Sequence, residues 1–390
     1  MDQLIFDICG FAKSPVDEQD YLESLKTCLK SGVPPTITTA DVELAKSLPE
    51  GVEVSAGDVG TSPLHMICTS VDPSDNNQLQ IASKMVDILF EFGGNWSLLD
   101  DANETAGCIA RRRGLTSIYE QFVRAGVRSE VFLRRMTVSD NTNDDNEADG
   151  LANLADTSNG SVGDTAVDQQ AYLSSKLEYT DETLVTQNAN DGVMMKWEEP
   201  IMKKSCELIT DVVPNDPKGL VILNVGFGLG IIDSFIQDQK PYKHYISEAH
   251  PDVLEKLLRD GWDKKPNVII LQGRWQDTLP KLIDEGVVFD GIYYDTFSEH
   301  YDDLVSFFDI TCGLLAPEGV FSFFNGLGAD RQISYDVYSH VVEVDLKEYG
   351  LKVEYTKLPV GPGDEEQWQG IRQKYWNLHE FLLPKISFDF

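Results

Sequence analysis

Val221-Ile222-Leu223-Asn224-Val225-Gly226-Phe227-Gly228-Leu229-Gly230 is a short, almost wholly apolar run that enters a turn with glycine at every second position. Such a run predicts a strand buried on both faces. The glycines predict a turn that a nucleoside-bearing ligand approaches closely, where a Cβ would collide. Helical periodicity resumes over 231–237. Outward from there the alternation continues. A strand at 244–247 ends at Glu248, and then come helix 251–259, strand 267–271 and helix 279–284. Strand 289–295, helix 302–314 and strand 320–324 follow. Strands alternating with helices predict an α/β fold with a parallel, doubly wound sheet. Glu248 ends the second strand 18 residues past Gly230, where a carboxylate can accept hydrogen bonds from both ribose hydroxyls.

A glycine turn plus an acid suits both nicotinamide-dependent oxidoreductases and methyltransferases that use S-adenosyl-L-methionine. Two details favour methyl transfer. Helix 302–314 runs into Leu314-Leu315-Ala316-Pro317-Glu318-Gly319-Val320, a turn into the fifth strand typical of Rossmann-like class I methyltransferases. Gly273-Arg274-Trp275-Gln276-Asp277 follows the third strand, where an aromatic ring can stack on adenine. No catalytic proton donor for hydride transfer stands out.

Composition narrows the partners. The 390 residues carry a formal net charge of -33, with a pI near 4.4. That field repels nucleic-acid phosphate and anionic lipid, which argues against direct nucleic-acid or membrane binding, and it attracts a basic protein. The six cysteines are scattered without a CxxC pair or zinc-ligand spacing, so reduced thiols and no metal are expected. The acidic start MDQLIFDICGF lacks the basic opening of a signal peptide, and no apolar run is long enough to span a bilayer. A cytoplasmic and nuclear protein is expected.

Residues 139–170 contain eight acids, no lysine or arginine and no aromatic residue, a composition that cannot bury much apolar surface. A flexible acidic linker over 139–169 is therefore expected between domains 1–138 and 170–390. The first domain reads as all-α. Tyr21, Leu22, Leu25 and Leu29 recur at helical spacing over 17–31, before Gly32. Thr61-Ser62-Pro63-Leu64-His65 resembles the TPLH opening of an ankyrin repeat, in which Thr caps a helix and His bonds back to the preceding turn. Helix 81–91, the turn Gly93-Gly94-Asn95, a degenerate second copy from Asn103 to Gly114 and helix 116–125 continue that pattern. An ankyrin-repeat-like domain is expected, with a protein-docking role. Arg111-Arg112-Arg113 reads as a solvated face.

The closest motif precedes the first large strand. Met194-Met195-Lys196-Trp197-Glu198-Glu199-Pro200-Ile201-Met202 resembles the Met-x-x-Trp-Glu-x-Pro-x-Met of guanidinoacetate methyltransferases. That family's VGFG, GxWxD and YDT elements match residues 225–228, 273–277 and 294–296. With the ankyrin-like N-terminus, the chain resembles the fungal protein arginine N5-methyltransferases, the type IV, delta-nitrogen class. The resemblance implies S-adenosyl-L-methionine as cofactor, S-adenosyl-L-homocysteine as product, and an arginine of a ribosomal protein as substrate. It implies that Tyr172, Met194 and Met202 border the cofactor. Gly226, Phe227, Gly228, Leu229, Gly230, Ile231 and Ile232 would wrap its amino-acid part. Glu248, Ala249 and His250 would meet the ribose and the adenine edge, with Trp275 and Gln276 against adenine. Glu198 and Asp295 would hold the guanidino group. Asn224 departs from the family, which has Glu there.

The chemistry asks for such carboxylates independently. A guanidinium is planar and cationic, and acids bind its N–H fork in a fixed plane. They can orient one nitrogen toward the sulfonium methyl, localise charge on the others and help remove a proton. After Asp295 stands Thr296-Phe297-Ser298-Glu299-His300 rather than the double-acid hairpin of the enzymes that modify terminal arginine nitrogens. A small-molecule guanidino methyltransferase is the alternative within the same chemistry. A nicotinamide oxidoreductase and a non-catalytic scaffold are the others.

Overall fold

A computed structural model describes residues 2–13, 15–47, 60–140, 164–180, 182–361 and 365–390. The chain divides into two compact units, Met1–Ala148 with Gln332–Val337, and Asp149–Arg331 with Tyr338–Phe390. Most of the expected acidic linker, residues 141–163, lies outside the described residues.

Among its described residues the first unit is helical. Side chains at the helix starts satisfy backbone N–H groups that have no partner inside the helix. Asp17 caps Glu18–Lys30, Asp75 caps Asn76–Glu91 and Thr105 caps Ala106–Arg112. Pro63–Ser70 is capped by Ser62, not by the Thr61 that the repeat pattern suggests. His65 Nδ1 bonds back to Ser62, and Nε2 reaches forward 3.1 Å to the carbonyl of Glu104. The basic run is more than a solvated face, because Arg113 donates to the carbonyl of Cys68 at 2.7 Å. The last helix, Thr116–Asp140, runs well past the expected end at 125. Gln332–Val337 completes this unit. A Cβ on Gly107 would lie 2.0 Å from Ile333 Cδ1, and Tyr119 donates to Asp336 at 2.5 Å.

In the second unit a short helix, Gln169–Ser174, precedes a small antiparallel sheet of β1 (Leu177–Tyr179), β2 (Thr183–Thr186) and β3 (Gly192–Met195). A 3₁₀ turn, Lys196–Glu198, leads into helix Glu199–Thr210. The large sheet uses β4 (Val221–Val225), β5 (Lys243–Glu248), β6 (Val268–Gln272) and β7 (Phe289–Tyr294). β8 (Leu315–Phe323), β9 (Leu351–Pro359) and β10 (Glu380–Phe388) complete it. The strand order is β6-β5-β4-β7-β8-β10-β9. β4 to β8 are parallel, and β10 runs antiparallel to both neighbours. Every β4 residue is buried, as a strand covered on both faces must be.

The expected turn at 314–320 is instead part of a strand. β8 starts at Leu315 opposite Phe289, and Val320 then faces Gly291, so the extra residues bulge out of the ladder. Helix Trp275–Asp284 starts at the tryptophan, four residues before the expected start. Strand order reverses at β4, where β5 lies on one side and β7 on the other. The crevice beyond the strand C-termini at such a switch point is where open α/β sheets bind ligands.

Candidate active site

The loops after β4, β5, β6 and β7 meet in that crevice, because each one leaves the C-terminal end of a parallel strand. The turn after β4 holds Gly226 at φ 93° and Gly228 at φ 54°, both in the region that favours glycine. Protein, and not only a ligand, demands these glycines. A Cβ on Gly226 would stand 1.9 Å from the carbonyl oxygen of Asp295, and one on Gly228 would stand 2.7 Å from Met194 Cε. Met194 is thereby seated on the turn, with its sulfur 3.2 Å from the N–H of Leu229.

Glu248, at the end of β5, binds the same turn. One carboxylate oxygen accepts from Phe227 N at 2.9 Å and the other from His250 N at 2.6 Å. Burial pushes its pKa up, and these backbone donors hold it back. His250 works as a brace. Its Nδ1 caps helix Pro251–Arg259, and its Nε2 lies 3.1 Å from the carbonyl of Tyr172. The Tyr172 ring packs edge-on against Phe297 at 4.8 Å.

A cavity opens here, lined by Tyr172, Met194, Gly226, Gly228, Glu248, Ala249, Trp275 and Asp295 among others. The remaining expected cofactor residues are not part of the lining. Phe227, Ile232 and Met202 are buried in the apolar core, with Leu229 and Ile231 packed against that cluster. Met202 therefore does not border the cavity, because its helix turns that side chain inward. Gly230, His250 and Gln276 are also absent from the lining. Gln276 Oε1 is buried without a hydrogen-bond partner among the described residues.

Trp275 stands edge-on to Phe307 at 5.2 Å and donates its Nε1–H to Glu299 at 2.9 Å. Glu299 also accepts from Gln276 at 3.0 Å, from Gln169 at 2.7 Å and from the Tyr294 hydroxyl. Sequence reasoning passed over Glu299 as a site residue, although the loop after β7 was the place to look. The carboxylate ties helix Gln169–Ser174, which carries Tyr172, to the loops after β6 and β7.

A second cavity shares Val193, Asp295, Thr296 and Phe297 with the first. Its acids are Asp191, Glu198, Asp295 and Asp330, and its bases are Arg372 and Lys374. Arg372 is already held, 2.7 Å from Asp191 and bidentate to Asp164. Glu198 is 4% exposed. Burial and the neighbouring charge of Asp295 push its carboxyl up to about 8, against the opposing hydrogen bond from Tyr375. Loss of water raises Asp295 to about 7. Two acids poised near neutrality, Asp295 on the shared wall and Glu198 in the second cavity, suit the capture of a cation and the handling of its proton.

Residues 163–348 match the family described as Guanidinoacetate N-methyltransferase. Protein arginine N-methyltransferase 2 of Yarrowia lipolytica is 44% identical over 464 aligned positions, covering 98% of this chain and 97% of that protein. Proteins of the same name from Candida glabrata and Saccharomyces cerevisiae are 45% and 43% identical, over 98% and 97% of this chain and 99% and 98% of their own. The chain belongs to the protein arginine N-methyltransferase 2 family. Arg372, Lys374 and Tyr375, which line the second cavity, lie beyond the residues matched to the guanidinoacetate family. Among the described residues, no helix is long and apolar enough to cross a membrane.

Proposed function

We propose that the chain transfers a methyl group from S-adenosyl-L-methionine to the delta (N5) nitrogen of an arginine in a basic protein, a ribosomal protein being the substrate that the resemblance points to. The observation that carries this reading is the placement of Asp295 on the wall common to both cavities, with Glu198 lining the second.

The first cavity suits the cofactor. Glu248 offers a buried carboxylate for ribose hydroxyls, and Trp275 lines the same cavity for the adenine. When bound, the cofactor supplies an electrophilic methyl on a sulfonium. The residues of the chain do the rest. Glu198 and Asp295 bind the guanidinium, and its positive charge draws both carboxyls toward ionisation. They orient one nitrogen toward the shared wall, and one of them takes the proton released as that nitrogen is alkylated. Tyr172, held by His250 and Phe297, helps to exclude water.

The loop after Asp295 supports the internal nitrogen as the target. The acid in that loop, Glu299, is engaged by four donor side chains and does not line the second cavity. Negative charge suits a basic protein substrate, and the helical first unit, read as ankyrin-like, suits docking it. Fragmentation mass spectrometry of a methylated ribosomal-protein substrate tests the reading, since it separates internal from terminal N-methylarginine. Terminal methylation, or methylation of guanidinoacetate alone, would overturn it. Asp295→Asn is expected to lower turnover by about two orders of magnitude or more, with cofactor affinity close to wild type by calorimetry.

A further inference from the structure

Glu198 needs something to hold it. It is buried, it ends a 3₁₀ turn, and its backbone donor, Met195 N, stands at 3.5 Å from Oε2, a long hydrogen bond. The other oxygen, Oε1, accepts the hydroxyl of Tyr375, a residue 177 positions away in the segment between β9 and β10. That segment is anchored by its backbone. Arg372 N donates to Asn190 O at 2.9 Å, and Asn377 N to Ala329 O at 3.0 Å. The Tyr375 ring stands edge-on to Trp368 at 4.9 Å and lies 6.1 Å from Trp197. A Cβ on Gly192 would come within 3.2 Å of the ring, so the glycine leaves room for it.

We infer that Tyr375 is a positioning residue of the methyl-transfer site, whose hydroxyl occupies Glu198 Oε1 and leaves Oε2 to face the guanidino group. The inference rests on the proposed role of Glu198 in substrate binding. A carboxylate with one oxygen tied to a rigid aromatic frame has a fixed plane, and a planar guanidinium needs a fixed partner plane. A hydrogen bond to the charged form also keeps Glu198 ionisable beside Asp295. Burial and the Glu198 charge push the phenol well above its usual range, so Tyr375 stays a donor throughout the working pH.

The test uses the full chain with Tyr375→Phe, which keeps the ring and removes only the hydroxyl. The first readout is the infrared carboxyl band that Glu198→Gln abolishes. In Tyr375→Phe its titration is expected to move up by about one pH unit, as loss of a hydrogen bond to a charged group implies. The second is kcat/KM with methyl-tritiated cofactor and ribosomal proteins from cells lacking the enzyme. It is expected to fall about 10- to 100-fold, with its rise shifted to higher pH and cofactor affinity unchanged by calorimetry. An unmoved band together with kcat/KM within twofold of wild type, beside a crippled Glu198→Gln, would overturn this inference alone. Wild-type turnover in Glu198→Gln would overturn the role of Glu198 in substrate binding, and the inference with it.

Discussion

Glu198 and Asp295 carry opposing demands in one pair of side chains. Their carboxyls are pushed up to about 8 and about 7, so both are largely protonated in mildly acidic solution and neither then attracts a guanidinium. kcat/KM reports groups of the free enzyme, so it is expected to climb as pH rises through 7 to 8 and to level off above. A flat profile across that window would contradict the assignment. Stability runs the other way. The folded pKa of Glu198 lies above its unfolded value, so the folded state holds the extra proton. The stability this contributes is complete below the ordinary glutamate range and is lost as pH rises toward about 8. Glu198→Gln is therefore expected to melt at a higher temperature than wild type at pH 9 and close to it at pH 4.5. Scanning calorimetry across that range checks this, and an offset independent of pH would refute it. The energy at stake is on the order of a few kcal/mol.

At the scale of elements, the turn between β4 and helix Ile231–Asp238 does two jobs. It lets the carbonyl of Asp295 pass under Gly226, and it seats Met194 over Gly228. Gly228→Val would put a β-branched residue at φ 54° and force Met194 off the turn. Strain of roughly 1–3 kcal/mol at the binding loop implies a loss of about 10- to 100-fold in cofactor affinity. Circular dichroism should be unchanged, since β4 and its neighbours keep their core. Unaltered affinity by calorimetry would show that the turn tolerates the side chain and that the cofactor does not depend on its shape.

One long helix contributes residues to both units. Helix Gln332–Glu348 belongs to the first unit through Gln332–Val337 and to the second from Tyr338. Ile333 and Val337 are fully buried. Deleting residues 1–148 bares them, at roughly 1.5–3 kcal/mol per side chain. Such a fragment is expected to melt lower and to bind a hydrophobic dye, while cofactor binding persists. A fragment should also begin before Asp164, which holds Arg372 at the second cavity. If the first unit docks the substrate, kcat/KM should fall more on an intact ribosomal protein than on a short arginine peptide. Equal losses would mean that the deletion acts through stability alone. In the intact chain, the net charge of -33 predicts a kcat/KM on basic protein that falls as salt rises.

The sequence by itself determined the alternation of strands and helices from β4 to β8, the glycine turn, and the acids at the ends of β5 and β7. Each is a local matter of buried periodicity, backbone φ or the end of a strand. The same locality explains what was not legible. β1 to β3 are too short to show a period, and the antiparallel entry of β10 between β8 and β9 is a choice of partner, which no window of sequence contains. Met202 sits in a motif that points to the site, yet its helix turns it into the core. Glu299 became a hub, and Tyr375 met Glu198, only because the sheet order brought distant loops into one crevice. Packing decided which side chain of each loop reached the cavities. Packing is a property of the assembled sheet and not of any one of its strands.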